Sequence, residues 1–158
     1  MNDNTLAALS IERRTLSLAL FTDNHLDEMV VRHLPVELKK ASSSVVGFLN
    51  SSFDSRHIEF IALLQPHVPK SLRAELLYRS AIEAIRFAGI PLIEVGEKQL
   101  LDSYACKPLR RKEQLRRIAR TIWPSLNTAR ASHSSLDAAL VGLYTQVDRL
   151  FTAREVLL

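Results

Sequence analysis

A single α/β domain, built on a mixed five-stranded sheet with helices flanking it, is the fold class this sequence predicts. Three observations carry the prediction. Residues 6–33 hold three short apolar runs separated by turn residues; residues 57–95 run strand, helix, strand; and beyond Lys98 the apolar positions recur at helical steps of three and four. The 158 residues, 47 % hydrophobic and 24 % charged, match one ordinary globular domain over 1–158.

The elements follow in order. LAALSIE (6–12) and TLSLALF (15–21) flank Arg13 and Arg14, and LDEMVVRH (26–33) follows the turn residues Asp23 and Asn24. Leu16, Leu18 and Leu20 alternate with smaller residues at period two, so the three runs read as an antiparallel meander that Pro35 closes. Over 36–53, Leu38, Ser42, Val45, Leu49 and Phe53 make one helical stripe, in which Ser42 to Ser44 need be nothing more than small packing residues. HIEFIALL (57–64) is continuously apolar enough to be a central strand buried on both faces. Residues 68–89 start with Pro69, end at Gly89 and lack an interior breaker, which predicts a long helix. Its apolar residues, Leu72, Leu76, Leu77, Ala81, Ala84, Ile85 and Ala88, exceed one stripe, so it is either sandwiched in the fold or buried again in a partner subunit. PLIEV (91–95) adds a strand parallel to 57–64. A short helix near 98–104 leads to a basic helix, about 109–122, with Leu115, Ile118, Ala119 and Ile122 as its buried stripe and Arg110, Arg117 and Arg120 projecting outward. After Pro124 and a polar loop, Leu136, Leu140, Leu143, Val147, Leu150 and Phe151 define a last helix.

Composition narrows the function. A mean hydropathy of +0.02 and the lack of a long apolar run exclude a membrane-spanning helix. The opening MNDNTLAALSIERR has no basic segment followed by a small-residue cleavage site, so no secretory signal is expected. The single cysteine, Cys106, rules out an internal disulfide, and a cytoplasmic setting is the expectation. His25, His33, His57, His67 and His133 show no metal-ligand spacing. The net charge of +4 is mild, but it is concentrated: Lys107, Arg110, Arg111, Lys112, Arg116, Arg117 and Arg120 share one segment with Glu113 as its sole acid. That clustering predicts a nucleic-acid surface more readily than an ordinary solvated helix face, with Arg13 and Arg14 as further candidate contacts.

In this order and spacing the elements resemble the ribonuclease H-like fold, and within it the RuvC-type Holliday-junction resolvases, over nearly the whole chain. Ser10-Ile11-Glu12 stands where that family has Gly-Ile-Asp at the end of its first strand. PLIEVGEKQLLDSYACKPLRRKEQLRRIARTIWP is similar to its fifth strand, following loop and basic helix, and SHSSLDAALVGLYTQ to its last helix, which opens with two acids three residues apart. The resemblance implies four carboxylates holding two magnesium or manganese ions about 3.5–4 Å apart for phosphodiester hydrolysis. This chain matches two: Glu12 and Asp137 are the implied metal-binding and catalytic acids, while Leu64 and Ser134 occupy the other two positions. Lys112 matches a basic catalytic residue of the family that faces the scissile phosphate, and another such position falls on Leu101. The resemblance also implies a homodimer through 68–89, testable by Leu77→Glu or Ile85→Glu.

Three readings follow. The leading one is a binder of branched or structured DNA with a degenerate nuclease site. The second is an active magnesium-dependent, structure-specific endonuclease in which Glu59, Glu97 or Asp102 completes the cluster. The third is a protein-interaction module that keeps the fold without nucleic acid. Simpler roles exist for the same residues. Ser134 and Asp137 have capping-box spacing, and Glu12 can form a surface ion pair with Arg13 or Arg14.

Overall fold

Strands β1 (Thr5–Ile11), β2 (Thr15–Thr22) and β3 (His25–His33) form the expected meander, with Ser10 opposite Ser17 and Ile11 opposite Leu16. The β2–β3 turn places Asp23 and Asn24 at φ 49° and 69°, a left-handed conformation that these two residue types tolerate in tight hairpins. β4 (Phe60–Gln65) pairs parallel to β1, and β5 (Leu92–Gly96) pairs parallel to β4. The order β3-β2-β1-β4-β5 makes β1 the middle strand and β4 an interior one. β4 is shorter than the 57–64 run suggested, because His57 and Glu59 precede it in exposed positions. The computed structural model describes residues 5–65, 71–104, 111–126 and 133–157, with side chains as far as Arg149.

Alternation along the strands makes two cores. Ala7, Leu9, Leu16, Leu18, Leu20, Ile61 and Leu63 face α1 (Leu38–Ser55) and α2 (Leu72–Phe87). Leu6, Ala8, Ala19, Phe21, Phe60, Ala62 and Leu64 face α3 (Glu97–Ser103), α4 (Lys112–Ile122) and α5 (His133–Leu157). The helices α1 and α2 also pack on each other, and the hydroxyls of Ser42 and Ser80 bond at 2.5 Å between them. Ser71 caps α2 by accepting from the Ala74 amide at 3.1 Å. Just inside that cap, Arg73 donates to the carbonyls of Arg13, Val36 and Pro35 at 2.9, 2.8 and 2.8 Å. One guanidinium thereby ties the start of α2 to the β1–β2 turn and to the segment after β3. At the other side of α2 the Tyr78 hydroxyl donates to Glu94 of β5 at 2.7 Å, and burial, reinforced by that carboxylate, raises the phenol above its ordinary pKa.

The α5 side has a different construction. Ser134 through Gly142 are buried on every side, because α5 runs between the sheet and α4 rather than laying one stripe on it. Small residues permit this approach. A Cβ on Gly142 would lie 2.1 Å from Cε2 of Phe21, so only glycine fits there.

Several sequence expectations change. Leu77 and Ile85 are wholly buried in the chain's own core, so substituting them tests folding and not assembly. The apolar residues that α2 leaves to solvent are Leu72, 68 % exposed, and Phe87, 93 % exposed. Ile122 and Val147 are exposed rather than buried in the stripes assigned to them. Residues 66–70, in which the long helix was expected to begin, lie outside the described residues, as do 127–132 of the polar loop expected at 125–134, whose last two residues, His133 and Ser134, belong to α5 instead.

Candidate functional site

The site forms where the end of β1, the first turns of α5 and the inner face of α4 converge. Beyond Ile11, the Glu12 amide donates to the Thr15 carbonyl at 2.8 Å, closing the β1–β2 turn and keeping Glu12 beside the sheet. Asp137 sits in the buried first half of α5 with its side chain only 4 % exposed. A carboxylate so buried requires a charged partner. Arg116 supplies it: Nε and one terminal nitrogen meet the two Asp137 oxygens at 3.2 and 3.1 Å, a forked pair, and the same terminal nitrogen meets Glu12 Oε1 at 3.3 Å. The Arg116 side chain is 12 % exposed. Lys112, one turn earlier on α4, places Nζ 3.6 Å from Asp137 and 3.5 Å from Glu97. Three carboxylates and two cations thus form one chain of contacts.

The two positions that the resemblance assigns to further acids are filled otherwise. Leu64 packs with Val95, Leu100, Leu115 and Leu136, an apolar surrounding without an oxygen donor of its own. Ser134 is fully buried, and its hydroxyl lies 2.6 Å from that of Ser17 and 3.2 Å from that of Thr15. Ser135 also approaches Ser17, at 3.2 Å. The start of α5 is therefore seated on β2 by neutral hydroxyls. The capping-box expectation is corrected, since α5 already includes His133 and Asp137 turns to Arg116. The expected surface pairing of Glu12 with its neighbours is corrected too: Glu12 pairs with Arg116, while Arg13 and Arg14 are exposed.

Among the other candidates, Glu97 joins the site through Lys112, whereas Glu59 lies beside Thr5 at the opposite end of β1 and Asp102 is exposed on α3. Arg111 and Arg117 are exposed, and Arg120 is half-exposed with Glu113 at 4.0 Å. Arg116, expected among the outward nucleic-acid contacts, instead points inward. Lys107 and Arg110 lie outside the described residues. The role of Arg116 was missed, although a signal existed: Lys112, Arg116, Ala119 and Trp123 recur at steps of four, three and four, aligning Arg116 with buried Ala119. The hydroxyl set of Thr15, Ser17 and Ser134 left no such signal, because serine and threonine serve equally as small packing residues.

This donor set does not fit a pair of divalent ions. Such ions require several hard oxygen ligands and compensating negative charge. Here two of the expected oxygens are replaced by an alkyl group and a hydroxyl bonded to its neighbours, and both remaining acids already hold a guanidinium. Among the described residues no cluster of three or more acidic, histidine or cysteine side chains has metal-binding geometry.

No protein-family model and no curated protein matches the chain in sequence. Solved structures do match in shape. RuvC of Thermus thermophilus, in a complex with a Holliday junction substrate, superposes with a TM-score of 0.72 at 16 % identity, covering 89 % of this chain and 91 % of that one. A further T. thermophilus RuvC structure gives 0.69 at 16 % identity over 88 % and 91 %. The yeast mitochondrial Holliday junction resolvase Ydc2 gives 0.63 at 11 % identity over 89 % of this chain and 78 % of its own. The fold is therefore the RuvC-like form of the ribonuclease H-like fold.

Proposed function

We propose that the protein binds branched or structured DNA on the α4 side of this fold and carries a degenerate nuclease site. The observation that carries the reading is the loss of donors at Leu64 and Ser134 together with the capture of Glu12 and Asp137 by Arg116. The DNA part is supported by the solvent-facing cations Arg111, Arg117 and Arg120 on α4, by Arg13 and Arg14 on the adjoining turn, and by the Holliday junction held by the Thermus protein of like fold. Lys112, engaged with Asp137 and Glu97, belongs to the rim between the acids and these cations.

Binding to a four-way junction tests this. Each phosphate contact contributes a slope of about −0.9 to log K against log salt. Reversing Arg117 and Arg120 to Glu should weaken binding to all sequences alike and flatten the slope by about two contacts' worth. Equal binding by wild type and the double variant would mean that this face of α4 is only solvated, and would favour the protein-interaction reading.

A homodimer through α2 is the second part of the proposal, supported by Leu72 and Phe87, large apolar side chains that the fold leaves uncovered. The two stand at opposite ends of α2, about 22 Å apart at 1.5 Å per residue, so a two-fold interface would run along the helix and bury both ends in its own copy. The double change Leu72→Asp and Phe87→Asp should leave the fold intact and convert a dimer to a monomer in sedimentation. Wild type sedimenting as a monomer at micromolar concentration would remove the idea. Among the described residues no helix is long and apolar enough to cross a membrane.

A further inference from the structure

We infer that Arg116 is a tethered counter-ion: its guanidinium occupies the place that a cation shared by Glu12 and Asp137 would take, and removing it opens a latent site for one divalent ion. One terminal nitrogen of Arg116 lies within 3.3 Å of oxygens from both acids, which come from elements distant in sequence and would otherwise repel each other. A magnesium, manganese or calcium ion bridging the same oxygens would need them at about 2.0–2.6 Å, so the acids have only to close by about 1 Å once the side chain is gone. The Ser134 hydroxyl, one turn before Asp137 on α5, is held by Ser17 and Thr15, and buried Leu64 offers no oxygen. The latent site therefore suits one ion and not two.

Charge explains why the native protein does not take up that ion. The fork of the guanidinium on Asp137 matches both carboxylate oxygens. It is delivered intramolecularly, at an effective concentration that free divalent ion does not reach, and Lys112 adds a second positive charge beside Asp137. An arriving dication would meet two fixed cations in a largely buried place. The inference rests on the degenerate-site half of the reading above, through the same ion pair, and not on its DNA-binding half, so Mn2+ uptake and junction binding fail independently of each other.

Manganese titration, read by loss of the free-ion electron paramagnetic resonance signal, tests it on the whole chain. Wild type should leave the signal unchanged at millimolar Mn2+. Arg116→Ala should take up one equivalent, and its melting temperature should rise with Mn2+ while that of wild type does not. The added change Asp137→Asn should abolish both effects. Arg116→Gln, which keeps a long polar side chain without the charge, provides a second variant if the alanine form is poorly folded. If both are unfolded without metal, refolding by Mn2+ supports the inference and failure to refold overturns it. It is equally overturned by folded variants that bind no ion, or by wild type binding Mn2+ in a manner that Asp137→Asn removes.

Discussion

In metal-free buffer, Arg116→Ala is expected to lower the unfolding free energy by about 3–5 kcal/mol, the usual cost of leaving one member of a buried ion pair alone. Asp137 bears most of this cost, because its carboxylate is almost wholly shielded from water and would retain only Lys112, at 3.6 Å, as a partner among its contacts with α4. Glu12 contributes less, since a third of its side chain already meets solvent. The melting temperature should fall by roughly 6–20 °C, at about 2–4 °C per kcal/mol for a domain of this size. Coupling identifies the cause. In the Arg116→Ala background, Asp137→Asn should recover part of the loss, because a neutral amide carries no uncompensated charge, giving an interaction energy of about 2 kcal/mol in a double-mutant cycle. Denaturant unfolding of the four proteins measures it, and additivity within about 0.5 kcal/mol would show that Arg116 acts by packing alone.

How far the sequence revealed this arrangement depends on what kind of signal each element leaves. The strands were legible because burial against two helical layers forces period-two or continuous apolar runs, as in Leu16, Leu18, Leu20 and in Phe60 to Leu64. Glu12 and Asp137 were identified through their resemblance to family positions, and the fold does bring them to one place. Arg116 was misplaced because a basic residue on an amphipathic helix looks solvent-facing unless its buried acidic partner is known, and that partner is 21 positions away. The last helix misled for a related reason. Its stripe of leucines suggested one buried face, whereas small residues on its other faces, Ser134, Ala138, Ala139 and Gly142, let it sink between sheet and α4. Small residues are compatible with exposure and with tight burial alike, so only the tertiary neighbours decide. For α2 the sequence left open whether the surplus apolar surface faced the fold or a partner, and the division lies within the helix: Leu77 and Ile85 face inward, Leu72 and Phe87 outward.

With magnesium or manganese, the purified protein is expected to leave four-way junctions, flaps and single strands uncut under conditions where it binds them. A complete two-ion centre places one ion on the attacking oxygen and one on the leaving oxygen, and each ion needs several oxygen ligands. In this chain Leu64 is packed in an apolar cluster, the Ser134 hydroxyl is occupied with Ser17 and Thr15, and the guanidinium of Arg116 holds the acids that remain. The deficit relative to a complete centre should be at least about 10⁴-fold in rate, or roughly 5 kcal/mol of transition-state stabilisation. Restoring ligands must therefore also remove the counter-ion: Leu64→Glu with Ser134→Asp should stay inactive while Arg116 is present, since the added acids gain a partner but no ion, and Arg116→Ala should be needed before any cleavage emerges. The observation that would overturn this expectation is metal-dependent cleavage by the unmodified protein that disappears in both Glu12→Gln and Asp137→Asn while junction binding persists, because a competent site would then exist in spite of the guanidinium between its acids.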